Sequence, residues 1–462
     1  VAFLVRLESP VGPRVAPADD GASFFPKGWT ARVSQAQPTA AEPEEPEPQG
    51  NPFAAGFCGP HDDEGTISLR LTLRGQVRDE LNRRIAAMTP EEVDAMMRAL
   101  DPFIHTGAVP DGVNASNLLM HATLKPDVPP ARLLGLADQL IATRQADAYV
   151  LVARASAAQL LNKPDVELEA VRAARQALPR DPAVGWALAD LLRNTAELDE
   201  AIAGLDSYLA ADPLPSLTRM RARLIVARDI QRDYRRRTRE GVTVLWPPDV
   251  LTDTQADAAL GAVIDALEGV ARLIGAVRRP ALTAVIYPGQ SEMFAVTCIP
   301  NWAGAVYDGT LRLVASPAQV AGVDLEQLRH ETTHAQLTPV LPESPHWFQE
   351  GLAQVYANPS SRPPAAWAMM VVNRTWIPFE SLDGSFHIFD KSRDADLAYT
   401  ESRALVELMQ ARGGPNAIAR AVQTFKEGEK TMGVLARVTG QREVTGEDLL
   451  RYIGQRLTAA GR

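Results

Sequence analysis

His330, Glu331 and His334 fall within the five residues His-Glu-Thr-Thr-His, and on an α-helix this spacing stacks the two imidazoles one turn apart on one face. Two ring nitrogens so placed can bind one tetrahedral metal ion. Glu331 lies about 100° round the helix from His330, where its carboxylate can reach a water on the ion without filling a ligand position. The chemistry expected is metal-assisted hydrolysis with an adjacent base. With only 7 His in 462 residues, a chance occurrence of the pattern is on the order of one in a hundred.

A structural metal site is closed by four protein ligands, often cysteines, whereas a catalytic one uses three and keeps a vertex for water. Cys58 and Cys298 stand far apart and offer no Cys-rich closed site, nor a disulfide framework. The third ligand is read from Ser344-Pro345-His346-Trp347-Phe348-Gln349-Glu350-Gly351. Ser344 reads as an N-cap and Pro345 as the first helical residue, which puts Glu350 in the second turn of a new helix. Pro339, Pro342 and Pro345 suffice to end one helix, reverse the chain and begin another packed against it. Gly351 removes a side chain where two backbones would approach closely. The expected ligands of one Zn2+ ion are therefore His330, His334 and Glu350. His346, four residues before Glu350, shares its helix face and could also ligate the metal, but in the first turn it reads more readily as an exposed or supporting group.

The H-E-x-x-H helix followed by W-x-x-E-G-x-A resembles the gluzincin metallopeptidases, the clan of thermolysin and the zinc aminopeptidases. It is most similar to the bacterial peptidase-MA-like domains that follow tetratricopeptide repeats, over roughly residues 238 to 462. The resemblance implies zinc on His330, His334 and Glu350, Glu331 as catalytic base, and a peptide or protein substrate. A developing oxyanion needs a donor besides the metal. Tyr399, in Ala398-Tyr399-Thr400-Glu401-Ser402, is the candidate, because family members carry a Tyr in a similar place after the metal helices. His387 and Tyr356 are rivals that read more readily as packing or surface residues. No G-x-M-E-N sequence of the zinc aminopeptidases precedes the metal helix, so endopeptidase and aminopeptidase both stay open.

The elements that must hold these residues are legible nearby. Asp324 and Gln327 form a capping-box pattern, and Leu325, Leu328, Thr332 and Ala335 recur at helical spacing, which predicts a helix from about Asp324 to Thr338. Upstream, Ala303 to Tyr307 and Thr310 to Ala315 flank the turn signal Asp308-Gly309 and predict a hairpin. It resembles the edge strand along which gluzincins lay an extended peptide, and main-chain pairing there would hold a substrate whatever its side chains. A strand at Gly241 to Trp246, a helix from Asp253 to Val277 and a strand at Ala281 to Tyr287 precede the hairpin. Helices from Tyr399 to Arg412 and Pro415 to Phe425 close the domain.

From Pro129 to about residue 237 the chain is rich in Ala and Leu with helical periodicity. Glu169-Ala170-Val171 aligns with Glu200-Ala201-Ile202, 31 residues on. Leu188, Ala189, Leu192, Ala201 and Leu205 fall at tetratricopeptide spacings counted back from Pro213, so residues 129 to 237 resemble two to three such repeats; a generic helical bundle is the alternative. A stacked array would offer a concave surface to a partner or substrate. Residues 66 to 128 form a helical segment of unassigned role, with Thr89-Pro90-Glu91-Glu92 opening a helix. Residues 1 to 65 read as a disordered segment, Pro38 to Gly50 being an acidic extended linker. The fold class is thus α+β and mostly α: a repeat-like helical array, then a gluzincin-type domain with a small mixed sheet and the metal helix.

Composition, 46% hydrophobic and 23% charged, is that of an ordinary folded chain with room for two or three domains. No run approaches 18 apolar residues, so no membrane span is expected. A net charge of −10 argues against a nucleic-acid partner, and the basic cluster Arg232 to Arg239 reads as the solvated face of a helix. Location stays open, with a preference for the cell envelope drawn from how such linkers and peptidases combine. Three functions from different classes follow: an active zinc peptidase, a repeat scaffold with a silent metal site, and a zinc hydrolase of a non-peptide bond. An intact Glu331 favours the first.

Overall fold

Helices carry most of the chain in the computed structural model, which describes residues 72–161, 163–279, 281–297, 304–342, 344–358, 363–384 and 392–460. The expectations for residues 1 to 65, for both cysteines and for His387 lie outside these. Among the described residues there are 18 α-helices and one five-stranded mixed sheet, and no helix is long and apolar enough to cross a membrane. The chain divides into two units, with the main boundary between Arg232 and Asp233.

The first unit is helical: α1 (Leu73–Ile85), α2 (Pro90–Thr106), α3 (Ala115–Thr123), α4 (Pro130–Ala142), α5 (Ala148–Leu160), α6 (Pro164–Ala177), α7 (Pro182–Leu192), α8 (Leu198–Leu209) and α9 (Pro215–Gln231). Local chemistry starts several of them. Thr89 and Glu92 complete a reciprocal capping box, and the carboxylates of Asp147 and Asp181 accept first-turn N–H groups. Helices α5 with α6 and α7 with α8 pair as hairpins, and Gly185 and Gly204 meet where the latter pair crosses. A Cβ on Gly204 would lie 2.5 Å from the Gly185 carbonyl, so only glycine fits. Helix α6 begins at Pro164 and α8 at Leu198, 34 positions on; α5 and α7 begin the same distance apart. The 31-residue self-match in the sequence is therefore about one helical turn short, because buried residues recur every three to four positions within each helix.

The second unit contains the sheet: β1 (Arg235–Arg239), β2 (Val242–Trp246), β3 (Leu282–Tyr287), β4 (Ala305–Tyr307) and β5 (Leu311–Val314), in the order β1-β2-β3-β5-β4. The three central strands run parallel and both edges are antiparallel. The basic cluster belongs in part to edge strand β1 and not to a helix. Glu240 and Gly241 both have positive φ (52° and 78°), which makes the tight two-residue turn that pairs β1 with β2. Exposed along its length, β1 gives little periodic signal of its own and is a strand because β2 is one.

Helix α10 (Asp253–Ile274) crosses one sheet face, capped by Thr252 and Gln255 at its start and ended by Gly275 in the left-handed region. Val244, Trp246, Ala284, Ile286, Leu311 and Leu313 form one core with Leu260, Val263 and Leu267 of α10 and with Leu328 and Ala335. Helix α11 (Gln290–Thr297) follows β3. Beyond the hairpin come α12 (Leu325–Leu337), α13 (His346–Ala357), α14 (Ala365–Asn373), a 3-10 turn at Phe379–Leu382, α15 (Ser392–Gly413), α16 (Ala417–Lys426), α17 (Thr431–Thr439) and α18 (Gly446–Ala460). They share a second core built on Trp347, Phe348, Trp367, Leu405 and Met409.

Candidate metal centre

Helix α12 starts where its sequence predicts, with the Asp324 carboxylate accepting the N–H groups of Glu326 and Gln327. Thr332 and Thr333 are fully buried and return their hydroxyls to the Leu328 and Arg329 carbonyls. His330 and His334 share one face of this helix and meet α13. The start of α13 departs from expectation: Pro345 is the N-cap, the His346 N–H donates to the Asp383 carbonyl, and the Ser344 hydroxyl makes no cap bond. A carbonyl from elsewhere in the unit has taken the capping role. Glu350 still falls in the second turn. Gly351 is required: a Cβ there would lie 2.3 Å from the Ser402 carbonyl oxygen of α15.

The three donors converge. His330 Nε2 and His334 Nε2 are 3.2 Å apart, His330 Nε2 lies 3.3 Å from Glu350 Oε2, and His334 Nε2 lies 3.5 Å from Glu350 Oε1. Ligands about 2.0–2.1 Å from a tetrahedral ion stand about 3.3 Å from each other. The two imidazole nitrogens stand at that spacing, each with a different oxygen of the Glu350 carboxylate at a similar distance, and His330, His334 and Glu350 could hold a metal ion. His346 is not in this group: its Nε2 sits 3.7 Å from Glu350 Oε1, against the carboxylate.

The electrostatics suit ligation. Burial would raise the Glu350 carboxyl, but the imidazoles of His334, His330 and His346 bring it down to about 2, so it is ionised. Burial lowers His334 to about 4, with Glu350 and a Gln349 hydrogen bond opposing, so the ring is neutral and ready to bind. His330 moves up because its hydrogen bond to Glu350 and the nearby carboxylates outweigh burial. Glu331 is pushed up to about 7, chiefly by burial and then by the Glu350 charge, against His330 and a backbone N–H from Tyr307. A carboxyl near neutrality is suited to taking and returning a proton.

Tyr399, on α15, lies within reach of the charges of this cluster. Burial and the charges of Glu350 and Glu331 raise its phenol, so it is a hydrogen-bond donor at any physiological pH. Gln354 anchors this part of α15 by donating to the Tyr399 carbonyl at 2.9 Å. Tyr356 is excluded as its rival, since its hydroxyl donates to the Ala266 carbonyl of α10 at 3.2 Å and its ring packs between the two cores.

Two supporting residues escaped the sequence reading. The Gln349 amide N–H donates to the Ser344 carbonyl, which leaves its oxygen to accept from the His334 ring. Gln354 stands four residues after Glu350 and so shares its face, a signal that helical spacing did contain. Beside His330 opens a cavity of about 300 Å³ lined by Asp324, Glu326, Gln327, Gln354, Ala357 and Arg403 as well as His330 itself. Side-chain exposure of 24% at His330 against 9% at Glu350 makes the histidine the accessible side of the cluster.

Set beside known proteins, the chain matches no family model and no curated protein.

Proposed function

We propose that the chain is a zinc-dependent metallopeptidase of gluzincin type, its catalytic unit preceded by tetratricopeptide-like repeats. The observation that carries this reading is the cluster of His330, His334 and Glu350 donors with Glu331 beside it. Two imidazoles and one carboxylate suit zinc better than calcium or magnesium, which take oxygen ligands in larger numbers. The 34-residue intervals between helix starts support the repeat reading, and with it a protein partner or substrate on that unit.

Zinc held by His330, His334 and Glu350 would supply Lewis acidity toward a scissile carbonyl and toward water. The side chains do the rest. Glu331 takes the proton from the attacking water and passes it to the leaving amine. Tyr399 donates a hydrogen bond to the carbonyl oxygen as charge develops there. Gly304 and Asp308 bond to Val314 and Thr310, so by antiparallel alternation the main-chain groups of Ala305 and Tyr307 point away from β5. No described strand covers that side of β4, and an extended peptide can pair there with the Ala305 groups and the Tyr307 carbonyl.

The test is zinc content and cleavage of a quenched-fluorescent peptide library by the native chain, Glu331→Gln and Glu350→Ala. Glu331→Gln is expected to keep its zinc and lose about a hundredfold or more in turnover. Glu350→Ala is expected to lose zinc itself. Equal turnover in native and Glu331→Gln protein would reject the mechanism.

A further inference from the structure

The cavity beside His330 continues the metal centre by one helical turn. Glu326 stands four residues before His330 on α12, Gln354 four after Glu350 on α13, and Arg403 four after Tyr399 on α15, so all three helices that frame the centre line it. Gln327, which also lines it, packs against Gly304 at the approach to β4: a Cβ there would lie 2.4 Å from Gln327 Oε1. The cavity therefore adjoins both the metal centre and the start of the strand proposed to receive a substrate. At about 300 Å³ it is at the small end of ligand sites and suits one side chain or one chain end.

Its charged groups are unequally placed. Arg403 is only 7% exposed and forms the depth of the cavity, whereas Glu326 and Gln327 are exposed and form its rim. Arg403 Nε donates to Glu407 Oε1 at 2.8 Å, and the guanidinium lies over the Trp367 ring, 5.9 Å from its centroid. The same Glu407 accepts from Arg456 Nε at 3.0 Å and from the Tyr452 hydroxyl at 3.1 Å. One carboxylate serves two guanidinium groups, so this corner of the unit is positive. Against it stand Asp324 and Glu326. The Asp324 carboxylate is taken up by two first-turn N–H groups of α12, and Glu326 Oε2 accepts from Asn358 Nδ2 at 3.0 Å in an exposed place where solvent screens its charge. A buried charge acts through less water, so Arg403 sets the sign of the depth.

We propose that the cavity is a substrate subsite for a carboxylate and that Arg403 is its specificity-determining residue. This rests on the reading of the metal centre as a peptidase site. The carboxylate is a Glu or Asp side chain or the free end of a peptide; either presents the planar group that a guanidinium binds through two parallel hydrogen bonds. Trp367 and Glu407 hold the guanidinium before a substrate arrives, so little freedom is lost on binding. A basic side chain is turned away by the same charge.

The experiment uses zinc-loaded full-length protein and fluorescent peptides of one frame that carry Glu, Gln or Lys at each position in turn, with the C-terminus free or amidated. Cleavage is followed with the native chain, and affinity is measured by fluorescence anisotropy with Glu331→Gln, alone and combined with Arg403→Gln. The native chain is expected to favour Glu over Gln at one position, or the free over the amidated C-terminus, about thirtyfold in kcat/KM, with Lys below Gln. The first result identifies a side chain and the second a chain end. Arg403→Gln is expected to keep zinc, erase that preference and cut the uncharged counterpart within about threefold of native, while Arg403→Lys keeps part of the preference. Two rim variants test the same charge without disturbing the buried network: Gln327→Glu lowers the preference about threefold and Glu326→Gln raises it by as much. A preference that survives in Arg403→Gln, rim variants without effect, or a native chain indifferent to carboxylates in both assays overturns the proposal. A native chain that cuts no peptide, with anisotropy showing a carboxylate preference that Arg403→Gln removes, rejects the peptidase reading and supports the subsite.

Discussion

The Glu350 carboxylate is surrounded by His330, His334 and His346, and that crowding explains both its low pKa and the shape of the cluster. An ionised carboxylate in a buried site is costly unless paired, and the imidazoles pair it before any metal arrives. Gln349 also bears on the His334 ring. Gln349→Ala is therefore expected to weaken zinc binding tenfold to a hundredfold, read by competition with a coloured chelator, with the melting temperature of the zinc-free protein nearly unchanged. At this scale the sequence is most legible. His330, Glu331 and His334 lie within one helical turn, so covalent geometry alone dictates how they face, and Glu350 follows once a second helix is granted. Arg403 is different. Its place in the cavity beside His330 depends on how three helices pack, and nothing in the local spacing announces it.

Helices α12, α13 and α15 form the frame, and Gly351 sets how closely two of them lie. Substituting Gly351→Ala drives a methyl group into the Ser402 main chain and the Val406 side chain, so α13 must retreat with Glu350 on it. A loss of about 2–3 kcal/mol in stability is expected together with reduced zinc content, measured by denaturant unfolding and metal analysis on the same sample. Element positions were readable where the signal is local, as at Thr89, Asp324 and the Asp308-Gly309 turn. They failed where a distant partner decides. Ser344 carries a good capping side chain but yields to the Asp383 carbonyl, and Arg235–Arg239 becomes a strand only because Val242–Trp246 turns back along it. The 31-residue self-match and the 34-residue interval between helix starts differ by three residues, close to one helical turn.

For the whole molecule, all three candidate ligands and Glu331 come from the second unit. Removing zinc with a chelator is expected to speed hydrogen exchange in α12 and α13 and to leave Leu73–Gln231 unchanged. Zinc at a hundred times its dissociation constant adds about 2.7 kcal/mol of stability. Change spreading evenly through both units on chelation would contradict the assignment of the site. The two borders of the sheet are unlike. Along β1, Arg235 and Arg237 pair with Asp253 and Asp257 of α10, and a row of guanidinium groups faces solvent. Along β4, Ala305, Val306 and Tyr307 carry no charge at all. A foreign strand seeking to extend this sheet is repelled by charge at the β1 border and meets none at the β4 border, where the proposed substrate would lie.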